Sequence, residues 1–397
     1  MKPIKHINTQ IVTFSLFRMI TFTGIRMVFP FLTLISRGLG TTVEMISVAV
    51  SFSALASVFA PFFAQIGERY GKRAGMLSGV LIVILAGVIV QLTQNYIGLF
   101  IGMILLQLAI NIFSPAMQAY ISDNIPFEKR GTALSLTELG WPLSYLVIIP
   151  LIGLVIEQWG WSIFYLMISA LALVFMGIIT FQVEKQPSSM HLTERYKLPF
   201  KEIFKAKNAF LGLLMGFCLV SGNIIVQLVF GVWLESSFQA SITQVGIVSS
   251  LIGAAELAGI LLSAAFIDRI GKRRAISLGI GIGIALSLLA VFVPFTLVSA
   301  GVWLFAFYFF SEFTIVCALT LVSELYPQAR NTYMAIYGVF CAVGFGAGSI
   351  LAPLAFQLTI KGNFGAAFFL FALAGLCLLM IKLTQPTAVH PAAEIAL

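Results

Sequence analysis

The chain has 397 residues, of which 60% are hydrophobic and 10% charged, and its mean hydropathy is +1.03. So little polar surface cannot clothe a water-soluble body of this size, which excludes a soluble enzyme. The net charge of +8 sits mostly in short gaps between apolar segments, not on a soluble basic face, and this removes a nucleic-acid-binding reading as well.

Crossing a hydrocarbon layer of about 30 Å takes about 20 apolar residues. Twelve such stretches are predicted, at 10–36, 43–66, 74–94, 96–121, 131–156, 162–182, 208–234, 243–267, 275–297, 300–323, 333–358 and 364–382. The expected fold is an all-α membrane protein with twelve transmembrane helices in two pseudo-symmetric six-helix bundles. Residues 1–182 form the first bundle, 183–207 a cytoplasmic linker and 208–397 the second bundle. Of the 23 Lys and Arg, Arg37 and Lys361 fall on one side of this arrangement, Arg18 and Arg26 lie inside the first span, and the other 19 lie on the opposite side. Cations mark the cytoplasmic side, so both termini are expected there, in a bacterial inner membrane.

In chain order, the first stretch follows Lys2 and Lys5 but is too long for a signal-peptide core, so it reads as a retained span. It carries Arg18 and Arg26. Glu68-Arg69-Tyr70-Gly71-Lys72-Arg73 follows the second span and returns 200 residues later as Asp268-Arg269-Ile270-Gly271-Lys272-Arg273 after the eighth, which marks the chain as a duplication. Gly71 and Gly271 suit a tight turn between helices. In the fourth span Gln107, Asn111, Ser114 and Gln118 share one helical face and can line a polar wall. Asp123 to Arg130 after it matches Glu324 to Arg330 after the tenth. The fifth span holds Glu138 and then Gly140-Trp141-Pro142.

Between the halves, Leu198, Phe200, Ile203 and Phe204 alternate with lysines, the pattern of either a basic helix on an anionic membrane surface or a solvated linker. Asn223 and Gln227 form an i, i+4 pair in the seventh span, and Gln227 falls one step from the repeat position of Arg26. The eighth span contains Glu256. Gly279, Gly281 and Gly283 in the ninth, like Gly344, Gly346 and Gly348 in the eleventh, suggest close packing or bending; neither run follows a strand, so neither is a phosphate loop. The tenth span holds Glu312 within an aromatic run that includes Tyr308 and Phe309. Four cysteines and three histidines lie far apart and offer no metal site, and no cofactor is expected.

The paired loops resemble the cytoplasmic loop motif of the major facilitator superfamily, acid-Arg-x-Gly-basic-basic, and Asp123 to Arg130 resembles its acid-x6-Arg motif. Ala64 and Ala264 stand where that loop motif usually opens with Gly, and Glu68 replaces the commoner Asp. The resemblance covers the whole chain. It implies a secondary transporter with no enzymatic chemistry, in which spans 1, 4, 7 and 10 line a central cavity and spans 2, 5, 8 and 11 flank it. The loop residues Glu68, Arg69, Gly71, Arg73, Asp123, Arg130, Asp268, Arg269, Gly271, Arg273, Glu324 and Arg330 are then the expected cytoplasmic gate. Gly140-Trp141-Pro142 resembles the Gly-Pro motif of proton-driven antiporters, with one residue inserted.

Five intramembrane charges, Arg18, Arg26, Glu138, Glu256 and Glu312, are not copied between the halves, and all fall on cavity or flanking spans. A charge facing lipid at mid-membrane costs about 2.5–3.5 kcal/mol, so they should face protein or water. Arg26, Asn111, Gln118, Asn223, Gln227 and Tyr308 are the expected substrate contacts. Glu256 and Glu312, and less centrally Glu138, are the expected proton-coupling acids. The function expected is proton-coupled efflux of an amphipathic or hydrophobic small molecule by a monomer embedded in the bilayer. The alternatives are proton-coupled uptake of an organic anion or sugar, or a lipid flippase or non-transporting receptor on the same fold.

Overall fold

The computed structural model describes residues 7–60, 69–184 and 200–382, and among these every regular element is helical. The first half comprises α1 (Ile7–Arg26), α2 (Leu32–Gly38), α3 (Val43–Leu55), α4 (Lys72–Thr93), α5 (Tyr96–Asn124), α6 (Phe127–Glu138), α7 (Gly140–Leu143), α8 (Ile149–Trp159) and α9 (Ile163–Gln182). A short helix, α10 (Phe200–Lys205), leads into α11 (Lys207–Gln227), α12 (Phe230–Phe238), α13 (Ile242–Ile270), α14 (Lys272–Phe292), α15 (Leu297–Val322), α16 (Arg330–Phe356) and α17 (Thr359–Met380).

Ten helices among the described residues are long and apolar enough to cross a membrane, and the pair Leu32–Gly38 and Val43–Phe59, bent by 109°, raises this to eleven. The predicted count of twelve is therefore not reached by length and composition. The shortfall lies in the first two spans: the second, predicted to residue 66, is described only to residue 60, and the first is neither straight nor uniformly apolar. α1 buries Gln10, Thr13, Arg18, Thr21, Thr23 and Arg26, and the chain then turns through residues 27–31 before α2. Pro30 in that turn has no backbone N–H to continue a helix. The seventh span breaks at the corresponding place, between Gln227 and Phe230.

Within the first half α4 packs against α5 and α9, and within the second α14 packs against α15 and α17. The halves meet along α3 against α16 and along α13 against α8 and the turn before it, so spans 2, 5, 8 and 11 supply the contacts between the halves. Small residues set the close approaches. Gly344 and Gly348 abut the α11 backbone at Phe217 and Ser221, while Gly346, on another face of α16, abuts Ser51 of α3. Gly71 and Gly271 have φ of +90° and +88°, a region that L side chains rarely adopt, and each starts the helix that follows its basic loop. α10 packs on the second half: Ile203 is buried, and the Phe204 ring meets Phe210 and Phe340.

Candidate functional site

Arg26 is the last residue of α1 and is fully buried. Its Nη2 lies 2.6 Å from Glu256 Oε1 on α13, in the other half. Nη1 donates to the Trp141 carbonyl at 2.7 Å and to Ser144 Oγ at 3.3 Å. The guanidinium carbon sits 4.1 Å from the Trp141 ring centroid and 3.6 Å from that of Tyr145. A planar, weakly hydrated cation tolerates such a cage of carbonyl, carboxylate and two ring faces, whereas an ammonium fits it poorly.

The cage depends on a local departure from α-helix. Gly140-Trp141-Pro142 begins a segment in which Ser144–Ile148 form a π turn before α8 resumes. Pro142 and Pro150 supply no N–H to the helical ladder on either side. The Trp141 carbonyl accepts from both Arg26 and Ser144 Oγ, so this backbone group is turned to the site. π turns of this kind recur at functional positions.

Gln227, the last residue of α11, donates from Nε2 to the same Glu256 Oε1 at 3.0 Å. The ends of α1 and α11 are repeat-related, so equivalent points of the two halves converge on one carboxylate. Glu256 Oε2, Arg26 Nε and the Tyr308 hydroxyl are buried and find no hydrogen-bond partner among the described residues. Glu312 lies one turn along α15 from Tyr308, and its Cβ packs close to Gly259, three residues beyond Glu256 on α13. It is half-buried, within the field of Glu256 and Arg26, and makes no ion pair with a described residue.

The other candidates separate from this cluster. Arg18 forms a two-pronged pair with Glu138, at 2.6 and 2.8 Å, inside the first half. Asn111 and Gln107 both donate to Ser57 Oγ, at 3.3 and 2.8 Å, and Asn223 donates to Ser311 Oγ at 2.9 Å. Gln118 is exposed. Trp141, Ser144 and Tyr145 carry no repeated or charged signal in the sequence, and their only flag was the Gly-x-Pro interruption beside them.

At the basic end, Lys72 pairs with Asp123 and Lys272 with Glu324, the same bond made once in each half. Arg130 Nε donates to the Ile125 carbonyl at 2.8 Å, and Arg330 donates to Ser323 Oγ at 3.0 Å. Arg69 lies beside the Tyr70 ring, and Arg273 reaches the carbonyls of Leu378 and Leu379. Glu68 lies outside the described residues; the side chain of Asp268 is likewise not described. Contacts between the halves are made at mid-depth and toward the opposite end. There Arg37 pairs with Glu235 at 2.7 Å, Thr243 donates to Glu157 at 3.1 Å, and Gly231 abuts the backbone of Pro30.

A sequence model of the Major Facilitator Superfamily matches residues 14–344 and 212–396. Two Bacillus subtilis proteins, both named as uncharacterised MFS-type transporters, are similar: YwfA is 23% identical over 268 residues, covering 66% of this chain and 65% of that protein, and YceJ is 22% identical over 217 residues, covering 54% and 55%. The chain thus spans less than two thirds of the length of either curated relative. Among solved structures, a POT family transporter in complex with a thioalcohol-conjugated peptide is similar over 94% of each chain, with a TM-score of 0.75 and 14% identity. A bacterial homologue of the human lysosomal transporter Spinster, inward-facing and unoccupied, is similar over 95% of each chain, with a TM-score of 0.72 and 14% identity. At such identities the likeness is one of fold.

Proposed function

Since the chain belongs to the Major Facilitator Superfamily, we propose that it is a secondary active transporter working by alternating access, exporting an amphipathic small molecule in exchange for protons. The observation that carries this reading is the buried Arg26–Glu256 pair, which ties one half to the other at mid-depth. Protonation of Glu256 removes the charge that holds Arg26, so proton binding and the contact between halves compete. That competition is what coupling needs, because a ligand moves a two-state equilibrium only through its differential affinity for the two states.

The polar groups near the pair bear on the substrate. Arg26 is occupied by Glu256, a carbonyl and a hydroxyl, and an anionic substrate would have to displace Glu256. Glu312 has no such partner and lies beside Tyr308 and Phe309, so a positively charged group with an apolar body suits the site better. The cations of the basic end support a cytoplasmic location for it, and on that reading the contacts at the opposite end support an inward-facing arrangement. The paired loops then act when the basic end closes.

The test is flux in proteoliposomes oriented with the basic end outward and given an acidic lumen. A lipophilic cationic dye should accumulate inside, and a protonophore should abolish the accumulation. Accumulation that follows the proton instead of opposing it would identify a symporter.

A further inference from the structure

A cavity of about 1470 Å³ opens at the basic end of the second half, apart from the mid-depth cluster. Its lining includes five cations, Lys207, Lys272, Arg273, Arg274 and Lys382, against one acid, Glu324. Lys272 is neutralised by Glu324, and Arg273 is engaged with two carbonyls at the end of α17. The side chains of Lys207, Arg274 and Lys382 bond no other described residue.

The duplication supplies an internal control. Shifted by 200, these three positions are Ile7, Ala74 and Gln182 in the first half. The scaffold around them is shared: Gln10 Nε2 donates to the Gln182 carbonyl, and Asn208 Nδ2 donates to the Lys382 carbonyl, so each half ties the start of its first helix to the end of its last. The backbone link is therefore made without a lysine side chain. Topology needs cations on this side of the membrane, but it does not need three unpaired ones converging on one cavity of one half.

We propose that this cavity binds the phosphate headgroup of an anionic phospholipid, with Lys207, Arg274 and Lys382 as its ligands. Basic pockets among helix ends at the membrane face read such headgroups, each nearby cation strengthening the attraction about five-fold. A lipid fits better than a free phosphate because Ile270, Leu321 and Leu325 share the lining. Beside it, the end of α17 turns Leu379 and Met380 outward, where acyl chains would lie. Three free cations favour a headgroup with two phosphates over one with a single phosphate.

The experiment uses the full chain in nanodiscs of phosphatidylcholine, with and without a tenth of the lipid replaced by cardiolipin or by phosphatidylglycerol, and reads the melting temperature. Cardiolipin should raise it most, and the Lys207→Gln, Arg274→Gln, Lys382→Gln triple variant should lose that rise while melting normally in phosphatidylcholine alone. The charge-matched control Lys2→Gln, Lys5→Gln, Lys129→Gln, all in the first half, should keep the rise. An equal rise in the triple variant, or an equal loss in the control, would reduce the effect to surface charge and overturn the site. Stabilisation of detergent-purified protein by millimolar inorganic phosphate, lost in the triple variant and not exceeded by cardiolipin, would overturn the lipid in favour of a soluble phosphate.

Discussion

Arg26 and Glu256 are separated by 230 residues in the chain and by 2.6 Å in space. Among the described residues they form the one ion pair whose partners are both buried and belong to different halves. Arg18–Glu138 stays within one half with Glu138 half-exposed, and Arg37–Glu235 crosses between halves in the open. A charge pair of this kind is not chiefly a stabiliser, since desolvation offsets most of the attraction. Removing one partner is another matter.

Arg26→Ala should abolish flux and also lower stability by about 3–5 kcal/mol, because Glu256 is left charged and buried with only Gln227 to satisfy it. Arg26→Ala combined with Glu256→Gln should recover most of the stability and none of the flux. Arg26→Lys keeps the charge but loses the fork to Trp141 and the stacking on two rings, and it should behave like Arg26→Ala in transport. Melting curves and flux on the same preparations decide this, and normal flux from Arg26→Ala would reduce the pair to scaffold.

Glu312→Gln should preserve substrate exchange between the two sides while removing its response to a pH gradient. Glu256→Gln should do the same and in addition weaken the link between halves, visible as wider distances between spin labels across the interface. If both variants still accumulate substrate against its gradient, protons move elsewhere.

Much of this site was legible in the sequence, but not its pairing. Arg26, Glu256 and Glu312 stood out because an unrepeated charge inside an apolar span has no scaffold role to explain it. Gln227 stood out because it nearly matched Arg26 in the repeat. That Arg26 and Gln227 share one carboxylate could not be read, because it depends on breaks at the ends of α1 and α11 that bring both residues to the same depth. Trp141 and Tyr145 were invisible for a simpler reason: an aromatic residue in a membrane span looks like any lipid-facing or packing residue until a cation is found against its face. The fold was read from repeat spacing and apolar length, and apolar length fell short where α1 is polar and the chain breaks after it.

Closure of the end opposite the basic loops should depend on Gly231. A side chain there meets the Pro30 backbone, which cannot yield as a flexible side chain would. Gly231→Val should therefore hold that end apart and slow turnover, whereas Glu235→Gln removes only a partly solvated pair contributing about 1 kcal/mol or less and should shift the open and closed populations several-fold. Spin-label distances between α2 and α12 would report both; an unchanged distribution in Gly231→Val would count against a gate at this end.

Single cysteines placed at Lys361 and at Lys205, in a chain whose native cysteines are replaced, should label from opposite sides of the membrane. An impermeant thiol reagent added to intact cells should reach position 361 and not 205. Labelling of 205 from outside would invert the orientation, and with it the direction of transport proposed above.

The π turn at Ser144–Ile148 has a consequence for anyone mapping this span by mutation. A turn closed by i→i+5 hydrogen bonds takes up one extra residue, which shifts the numbering of the following helix by about 100° relative to a regular one. A helical wheel drawn straight through residues 129–159 is therefore out of phase with itself: positions before Ser144 and after Ile148 that share a stripe on paper point in different directions in the protein. Scanning mutagenesis should show the sensitive face slipping by one residue at this point. Deleting a single residue from the turn would restore an ordinary helix while leaving the Trp141 carbonyl near Arg26 and Pro150 and Glu157 against Gly246 and Thr243 in the other half, whereas a deletion just after Ile148 would swing Glu157 away from Thr243. The extra residue in the Ser144–Ile148 turn is thus absorbed locally, and one span serves two registers, one facing the cation and the other the opposite bundle.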